Sequence, residues 1–438
     1  MNVRKDSLGN PLSGAQPSSV QHYEQALHQF QCYCGDPLAT IDAAIAERPD
    51  FVMGRVLHAW LHLLGTEPLG LPVARDDLEQ ARQWPANPRE QAHLAAIGRL
   101  VDGHWHAARR ILEDLTLDHP LDGLGLLAGH VLDFYVGDAR MLRDRITRAF
   151  PAWSPAMPGY HALLGMHAFG LEECGAYARA SASGHAALLL EPRDAWAHHA
   201  VTHVLEMQGR QHEGIAWMRD RQRQWAEDNF FAIHNWWHLA LFHLDLGDTA
   251  SVLELFDSAI AASQSPLALD LVDASALLWR LHLLGADVGA RWQGVAERWQ
   301  AFADSGHYAF NDAHAMMAFA CAGRSEAIRT LQAAQQRAMQ GDGDNARFTR
   351  DVGAPLCQAL LAFVEGHPAR TVELLRPLRG IAHRFGGSHA QRDLIDLTLL
   401  EAALRDGQLA LARGLAAERV DAKPGSPAAR VLLRRAAG

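Results

Sequence analysis

The chain has 438 residues, of which 49% are hydrophobic and 21% charged, so wholesale disorder is excluded and a large core is expected. Its 40 Lys and Arg residues against 50 Asp and Glu residues give a net charge of -10, which argues against non-specific nucleic-acid binding. Five cysteines in so long a chain rule out a disulfide scaffold, whereas 25 histidines are an unusually large number.

The first 20 residues lack the apolar segment of a signal peptide, so the sequence predicts no export signal. We expect residues 1–18 to form a disordered or extended tail. No stretch reaches the roughly 18 uncharged apolar residues of a membrane span, so we expect no membrane partner. The predicted location is the cytoplasm, where the cysteines would stay reduced.

From residue 20 onwards the hydrophobic period is helical, and the alternation typical of strands is nearly absent. Short breaks at Gly, Pro, Asp or Asn separate the helical segments. The predicted helices are 20–33, 37–47, 51–64, 72–83, 88–102, 104–117, 121–136, 138–149, 157–171, 174–190, 193–208, 211–226, 229–246, 249–263, 267–284, 288–303, 308–322, 324–339, 349–365, 368–383, 387–405 and 408–419.

A repeat of about 35 residues organises these helices. Pro49, Pro120 and Pro192 each close a helix pair, and their spacings of 71 and 72 residues correspond to two repeats. Small residues on both helices of a pair allow close approach, and a glycine such as Gly103 makes the turn. The pattern predicts one all-α domain over residues 19–438. Its predicted form is a tetratricopeptide-repeat (TPR)-like α-solenoid, a right-handed superhelix of about ten or eleven helix–turn–helix pairs.

A polar stripe runs along the predicted helix 193–208, whose other faces carry Ala, Val, Leu and Met. At 100° per residue, His199, His203, Glu206 and Arg210 fall within about 60° of one another. First helices of such repeats line the concave surface of the solenoid. We therefore expect this stripe to face that surface.

The next first helix, 229–246, carries a matching stripe. His234, His238 and Asp245 each follow a member of the first stripe by 35 residues, so we expect the two stripes to lie side by side. This arrangement predicts an ion pair between Arg210 and Asp245. Trp237 lies next to the polar stripe, which makes it a candidate wall for a ligand pocket.

Four clustered imidazoles admit three interpretations. The first is a site for zinc or another first-row divalent ion on His199, His203, His234 and His238, since zinc enzymes use His at i and i+4, although the HExxH motif is absent. The second is metal-free acid–base catalysis, in which the histidines exchange protons with Glu206. The third is a structural role, in which buried histidines bond to one another and to carboxylates.

Two groups further along the chain are candidates for ligand binding. Asp312 and His314 lie near the start of a predicted helix, where Asp312 is alternatively the N-cap. His389, Arg392 and Asp393 share one face of the helix that opens after the predicted N-cap serine at 388. A guanidinium such as that of Arg392 suits a carboxylate or phosphate group. If the superhelix curls, these groups complete the pocket begun at residues 199–245.

Several long motifs resemble the tetratricopeptide-repeat protein 38 family. They are WAHHAVTHVLEMQGR at 196–210, EGIAW at 213–217, HNWWHLAL at 234–241, NDAHAM at 311–316 and GSHAQRD at 387–393. The resemblance extends over most of the chain. It implies an α-helical repeat protein inside the cell, and it implies no particular reaction.

We therefore expect a histidine-rich concave pocket that binds or processes a small polar molecule or a peptide. If a metal is present, hydrolysis by metal-bound water is the simplest reaction, but whether the chain is an enzyme stays open. The alternative is a protein–protein interaction scaffold whose buried histidines are structural. The residues assigned to chemistry are His199, His203, Glu206, His234 and His238. Those assigned to ligand contact are Arg210, Trp237, Asp245, Asp312, His314, His389, Arg392 and Asp393.

Overall fold

The computed structural model describes residues 4–437, which are predominantly α-helical, so the all-α helical-repeat architecture is confirmed. Within these residues the strands are β1 (Arg4–Lys5) and β2 (Pro11–Leu12), which pair antiparallel with Arg4 opposite Leu12. The predicted tail 1–18 thus contains a short hairpin, and the first helix begins at Pro17. Residues 1–3 of that tail and residue 438 lie outside the described part.

Most of the predicted helices appear within a few residues of their expected positions, and several are interrupted. The first eleven are α1 (Pro17–Cys32), α2 (Pro37–Glu47), α3 (Val52–Leu63), α4 (Gly70–Ala81), α5 (Pro88–Val101), α6 (Trp105–Asp118), α7 (Gly123–Tyr135), α8 (Ala139–Ala149), α9 (Tyr160–Glu173), α10 (Tyr177–Leu190) and α11 (Ala195–Met207). The others are α12 (Gln211–Asp220), α13 (Gln222–Ala226), α14 (Ala232–Asp245), α15 (Thr249–Leu255), α16 (Ala268–Leu283), α17 (Arg291–Trp299), α18 (Ala309–Cys321), α19 (Ser325–Ala338), α20 (Asp344–Phe348), α21 (Ala354–Val364), α22 (Pro368–Leu375), α23 (His389–Arg405), α24 (Leu409–Ala422) and α25 (Pro427–Ala437).

Local chemistry explains where the helices begin and end. Asp36, Asn87, Asp122, Asp138, Asp248 and Ser388 are N-caps whose side chains accept a hydrogen bond from a backbone N–H of the first turn. Ser388 is the N-cap that the sequence predicts, and Gln391 completes its capping box. The three repeat-closing prolines each lie two residues after a second helix, namely α2, α6 and α10.

The chain packs as two compact units. Unit 1 comprises Met1–Val201 and Arg223–Ala232, and unit 2 comprises Thr202–Gln222 and Ile233–Gly438. Successive helices in each unit pack as hairpins, for example α9 with α10 in unit 1 and α24 with α25 in unit 2. The single domain over residues 19–438 stays a prediction.

In unit 1 the loop after α1 meets a segment that is distant in sequence. Cys34 and Asn229 form an isolated antiparallel bridge, and the backbone N–H of Phe230 donates to the Tyr33 carbonyl at 2.9 Å. The Asn229 side chain adds a hydrogen bond to the Cys32 carbonyl at 3.1 Å. Unit 1 therefore joins its first helix to its last segment through backbone hydrogen bonds.

Unit 2 also brings together helices that are distant in sequence. Helix α16 packs on α23, where the Trp279 indole N–H donates to the Thr398 hydroxyl at 2.9 Å. The Lys423 ammonium, at the C-cap of α24, lies 3.4 Å from the Glu206 carboxylate on α11. Repeats that are distant in sequence therefore share one interior within unit 2.

Candidate functional site

Three histidines of unit 2 converge on one place. His203 on α11 and His234 and His238 on α14 are all buried, and one ring nitrogen of each lies within 4.8 Å of the others. The ring centroids of His203 and His238 are 4.4 Å apart, and those of His234 and His238 are 4.9 Å apart. The 35-residue offset therefore correctly places the two polar stripes side by side at these positions.

Two of these imidazoles are oriented by carboxylates. His234 Nδ1 lies 2.9 Å from each oxygen of Asp273, and His238 Nδ1 lies 3.0 Å from Oε2 of Glu206. A carboxylate that accepts a hydrogen bond from Nδ1 fixes the neutral tautomer whose Nε2 carries a lone pair. Nδ1 is therefore engaged by a carboxylate in both rings, and metal binding would use Nε2.

Burial and neighbouring charges set the protonation of this pair. Burial is the main cause that lowers the pKa of His238 to about 3; His203 and His234 act in the same direction, and Glu206 opposes them. Burial also opposes ionisation of Glu206, but Lys423 and the hydrogen bond from His238 outweigh it and hold the pKa of that carboxyl well below its usual range. At neutral pH the pair is therefore a carboxylate and an uncharged imidazole.

The fourth predicted imidazole, His199, lies one turn before His203 on the part of α11 that belongs to unit 1. Its ring packs against aromatic rings of that unit. The centroid distances from His199 are 4.8 Å to Trp196 and 5.2 Å each to Phe169 and Phe231. His199 therefore lies in an aromatic environment, which differs from the carboxylate-rich surroundings of His234 and His238.

Trp237 is fully buried beside the histidines. It stacks on His234 with centroids 5.4 Å apart, and the Arg280 guanidinium carbon lies 5.4 Å from its ring centroid. Trp237 is not among the residues that line the cavity of unit 2 described next. It supports the histidine cluster by packing.

A cavity of about 410 Å³ lies in unit 2. Of the residues predicted to form the site, Glu206, Asp245 and Asp393 line it, and the histidines do not. Glu206 therefore belongs to both features, because it accepts a hydrogen bond from His238 and contributes to the cavity wall.

The predicted pair between Arg210 and Asp245 is wrong. Arg210 lies beyond the end of α11, at the N-cap of α12, and its exposed guanidinium pairs with Glu213. Asp245 instead accepts hydrogen bonds from Gln211 and Ser426. The 35-residue offset fails here because α14 is still helical at Asp245, whereas α11 has already ended before Arg210.

Of the downstream triplet His389, Arg392 and Asp393, only Asp393 lines the cavity. His389 is exposed, and Arg392 donates to the backbone carbonyls of Gly386 and Gly387. Asp393 lines the cavity, and it binds both terminal nitrogens of Arg419. Burial by itself raises the pKa of Asp393, but Arg419 outweighs it and holds that pKa at about 2.

Asp312 and His314 are buried on α18 and do not line the cavity. Asp312 is not the N-cap, because α18 begins three residues before it. Burial raises the pKa of Asp312 to about 7 and lowers that of His314 to about 4. His314 Nδ1 donates to the Phe310 carbonyl at 2.8 Å, which is a local contact within the helix.

Sequence reasoning missed four residues that shape this region, namely Asp273, Arg280, Arg419 and Lys423. Asp273 and Arg280 are charged residues in the largely apolar sequence of α16, and charges within an apolar helix were the available signal. Arg419 and Lys423 come from the end of the chain, and nothing in their local sequence distinguishes them.

A second group of metal-ligating side chains lies in unit 1. His28, Cys32 and His161 each offer one atom within 4.8 Å of the others. His161 Nδ1 lies 2.8 Å from the Asp194 carboxylate, but His28 is exposed. No motif in the sequence predicts this group.

Within residues 4–437 no helix combines the length and apolarity that crossing a bilayer requires. No protein-family model matches the chain.

Proposed function

We propose that unit 2 binds a divalent first-row metal ion through His203, His234 and His238, and that this centre processes a small polar ligand by metal-assisted hydrolysis. The observation that supports the proposal is the pair of carboxylate-oriented imidazoles, His234 with Asp273 and His238 with Glu206. Carboxylate partners on Nδ1 are the common second shell of histidine metal ligands. Three imidazoles with an open position suit zinc in a catalytic role.

The metal would supply a polarised water and a Lewis acid. The residues of the chain hold the ligand set in place: Asp273 fixes the ring of His234 through Nδ1, and Glu206 fixes the ring of His238 in the same way. Lys423 balances the negative charge of Glu206. The carboxylates therefore serve as positioning groups.

Metal-free acid–base catalysis by this pair is the weaker hypothesis. An efficient general base has a pKa near the operating pH. The pKa of His238 is about 3 and that of Glu206 lies below its usual range, so neither group exchanges protons readily near pH 7. A peptide-binding role for the histidines is disfavoured as well, because His203, His234 and His238 are all buried.

Metal analysis of the purified full chain tests the proposal. We expect zinc to bind with a single equivalent at unit 2, to raise the melting temperature, and to be lost in the His203→Ala/His238→Ala double variant. The exposed His212 provides a control, since His212→Ala should retain the metal. Cys32→Ser removes a candidate ligand of the group in unit 1, so metal bound at that group can be distinguished from metal bound in unit 2.

Cobalt substitution of the wild-type chain keeps the test independent of the folding of any variant. Coordination by three imidazoles gives visible d–d absorption, which histidines without bound metal do not give. A wild-type chain that binds neither ion, and melts at the same temperature with and without chelator, would leave the histidines with a structural role. Retention of zinc by the folded double variant would equally remove this site.

The helical hairpins are interpreted in this proposal as degenerate tetratricopeptide repeats of the tetratricopeptide-repeat protein 38 family. The spacing of the repeat-closing prolines supports the repeat assignment. The five free cysteines support a location in the reducing cytoplasm. Detection of the tagged full chain in the cytosolic fraction of its source cell tests the location.

A further inference from the structure

The cavity of unit 2 has an apolar wall built by four helices. Leu241 of α14, Leu283 of α16, Leu397 of α23 and Leu415 of α24 all line it. Its volume of about 410 Å³ falls within the range of small-molecule sites, roughly 300–1,000 Å³. The wall therefore suits an aliphatic group of moderate size.

Nearly all the cations that line this cavity are paired with a carboxylate. Arg419 binds Asp393 through two hydrogen bonds, and Lys423 lies 3.4 Å from Glu206. Arg379 pairs with Asp396 and Glu418, both at 2.6 Å, and Arg435 pairs with Glu401 at 2.9 Å. The charges of these groups are compensated within the protein.

Arg280 is the exception among them. It lines the cavity and is buried, yet within residues 4–437 no carboxylate oxygen lies within 4.0 Å of its guanidinium nitrogens. Its hydrogen bonds run to backbone carbonyls, from Nη1 to Ala276 at 3.1 Å and from Nη2 to Ala390 at 2.6 Å. These two carbonyls use only part of the donor capacity of a guanidinium.

The nearby carboxylates act on Arg280 only from a distance. Asp393 and Glu206 line the cavity and favour the charged form of Arg280, and Arg419 opposes them, but neither carboxylate lies within 4.0 Å of the guanidinium nitrogens. Asp273 also acts on Arg280, but it lies against His234 and does not line the cavity. A buried cation that no carboxylate contacts is costly, and the carboxylate of a ligand reduces that cost.

We infer that this cavity binds an aliphatic monocarboxylate, with the carboxylate on Arg280 and the hydrocarbon chain against the leucines. A guanidinium recognises a carboxylate by paired, charge-assisted hydrogen bonds, which a neutral headgroup cannot match. Asp245 also lines the cavity, but its carboxylate already accepts hydrogen bonds from Gln211 and Ser426. An amino-acid zwitterion is therefore the less suitable ligand. The inference does not depend on a bound metal.

Calorimetric titration of the full chain in a chelator-containing buffer tests the inference. Octanoate should bind at least about tenfold more tightly than octanamide, because only the carboxylate forms charged hydrogen bonds with Arg280. Hexanoate and decanoate define the chain length that the cavity accepts. The chelator removes any bound metal, so carboxylate binding is measured independently of the proposed metal site. A negative result for one of the two proposals therefore does not contradict the other.

Substitution of Arg280 provides a second test of the inference. Arg280→Met should weaken octanoate binding about tenfold or more and leave octanamide binding unchanged, and Arg280→Lys should restore part of the difference. Arg435→Met is the matched control, because Arg435 also lines the cavity but is already paired with Glu401.

Several outcomes would overturn the inference. They are equal affinity of the wild-type chain for octanoate and octanamide, no binding of any of the carboxylates, or octanoate binding to folded Arg280→Met that matches the wild type. Tighter binding of 2-aminooctanoate than of octanoate would show that the ligand is a zwitterionic amino acid and not a simple monocarboxylate. The ligand comparison on the wild-type chain decides the question even if Arg280→Met does not fold.

Discussion

His238 donates a hydrogen bond from Nδ1 to Glu206 across helices α14 and α11 of unit 2, with 3.0 Å between the two atoms. The same carboxylate lies 3.4 Å from the Lys423 ammonium and lines the cavity. Glu206 is therefore the residue that links the histidine cluster to the cavity. Its charge stabilises the Nδ1–H tautomer of His238, and the geometry of any metal bound to Nε2 depends on that tautomer.

Glu206→Gln should weaken metal binding without abolishing it. The amide oxygen can still accept the hydrogen bond from His238, but the negative charge that increases the basicity of the ring is lost. Loss of such an outer-shell partner typically costs 10–100-fold in metal affinity, and we expect about tenfold. Competition with a chromophoric chelator measures the change. Glu213→Gln is the control, since Glu213 is exposed and pairs with Arg210; equal affinities of the two variants would contradict the role given to Glu206.

The helical architecture and part of the site were predictable because both depend on local periodicity. The spacing of apolar residues located most of the helices, and the N-cap at Ser388 followed from residue type alone. The offset of 35 residues correctly placed His203 beside His238, because both lie well inside their helices. It failed for Arg210, which lies after the end of α11.

The cavity was not predictable by the same reasoning. Its closing contacts join residues that are far apart in the chain, such as Lys423 with Glu206. Helical periodicity states which face of a helix is buried, but it does not state which distant helix covers that face. The role of Arg280 follows from its hydrogen bonds to backbone carbonyls in place of a carboxylate, and that information exists only in the folded chain.

His130 in unit 1 should make the chain sensitive to acid. It is fully buried, and burial lowers its pKa from 6.5 to about 3, with Arg145 and His167 adding to the effect. As the pH falls from 6.5 towards 3, the unfolded chain takes up a proton at this position and the folded chain does not. Stability is therefore lost over that interval, by up to about 1.4 kcal/mol per pH unit for this one group.

His130→Leu removes this proton uptake. Relative to the wild type, the variant should gain unfolding free energy as the pH falls from 6.5 to 4.5, whatever its stability at pH 7.5. Urea denaturation at several pH values measures the difference. The exposed His212 supplies the comparison, since His212→Leu should leave the pH dependence as it is; parallel curves for wild type and His130→Leu would show that His130 does not titrate in this way.

The buried ion-pair network around Asp122 should be among the most sensitive points of unit 1. Asp122 Oδ2 accepts hydrogen bonds from Arg89 at 3.0 Å and His93 at 2.9 Å, and Oδ1 accepts one from the Gly125 N–H. All three side chains are nearly inaccessible to solvent. Asp122→Asn leaves the Arg89 cation buried beside a neutral amide, so we expect a loss of about 3–5 kcal/mol.

Chemical denaturation of Asp122→Asn measures that loss, and the exposed pair between Arg223 and Glu227 provides the contrast. Glu227→Gln should change stability by no more than about 0.5 kcal/mol, because solvent screens a surface pair. Burial opposes ionisation of Asp122, but His93 and Arg89 outweigh it and hold its pKa below the usual range. The contribution is therefore present above about pH 4 and is lost at lower pH. Similar small losses for both variants would refute the distinction.

Close helix packing within unit 2 predicts opposite outcomes for two Gly→Ala substitutions. A Cβ on Gly214 of α12 would lie 2.3 Å from the Phe242 ring of α14, so Gly214→Ala forces these helices apart at an expected cost of about 1–3 kcal/mol. A Cβ on Gly294 of α17 meets nothing within 4 Å. Gly294→Ala should instead stabilise its helix by about 0.5–1 kcal/mol, because alanine loses less backbone entropy on folding. Melting temperatures of the two variants should therefore move in opposite directions. If both melting temperatures moved in the same direction, the close packing of α12 on α14 would not depend on the absence of a side chain at Gly214.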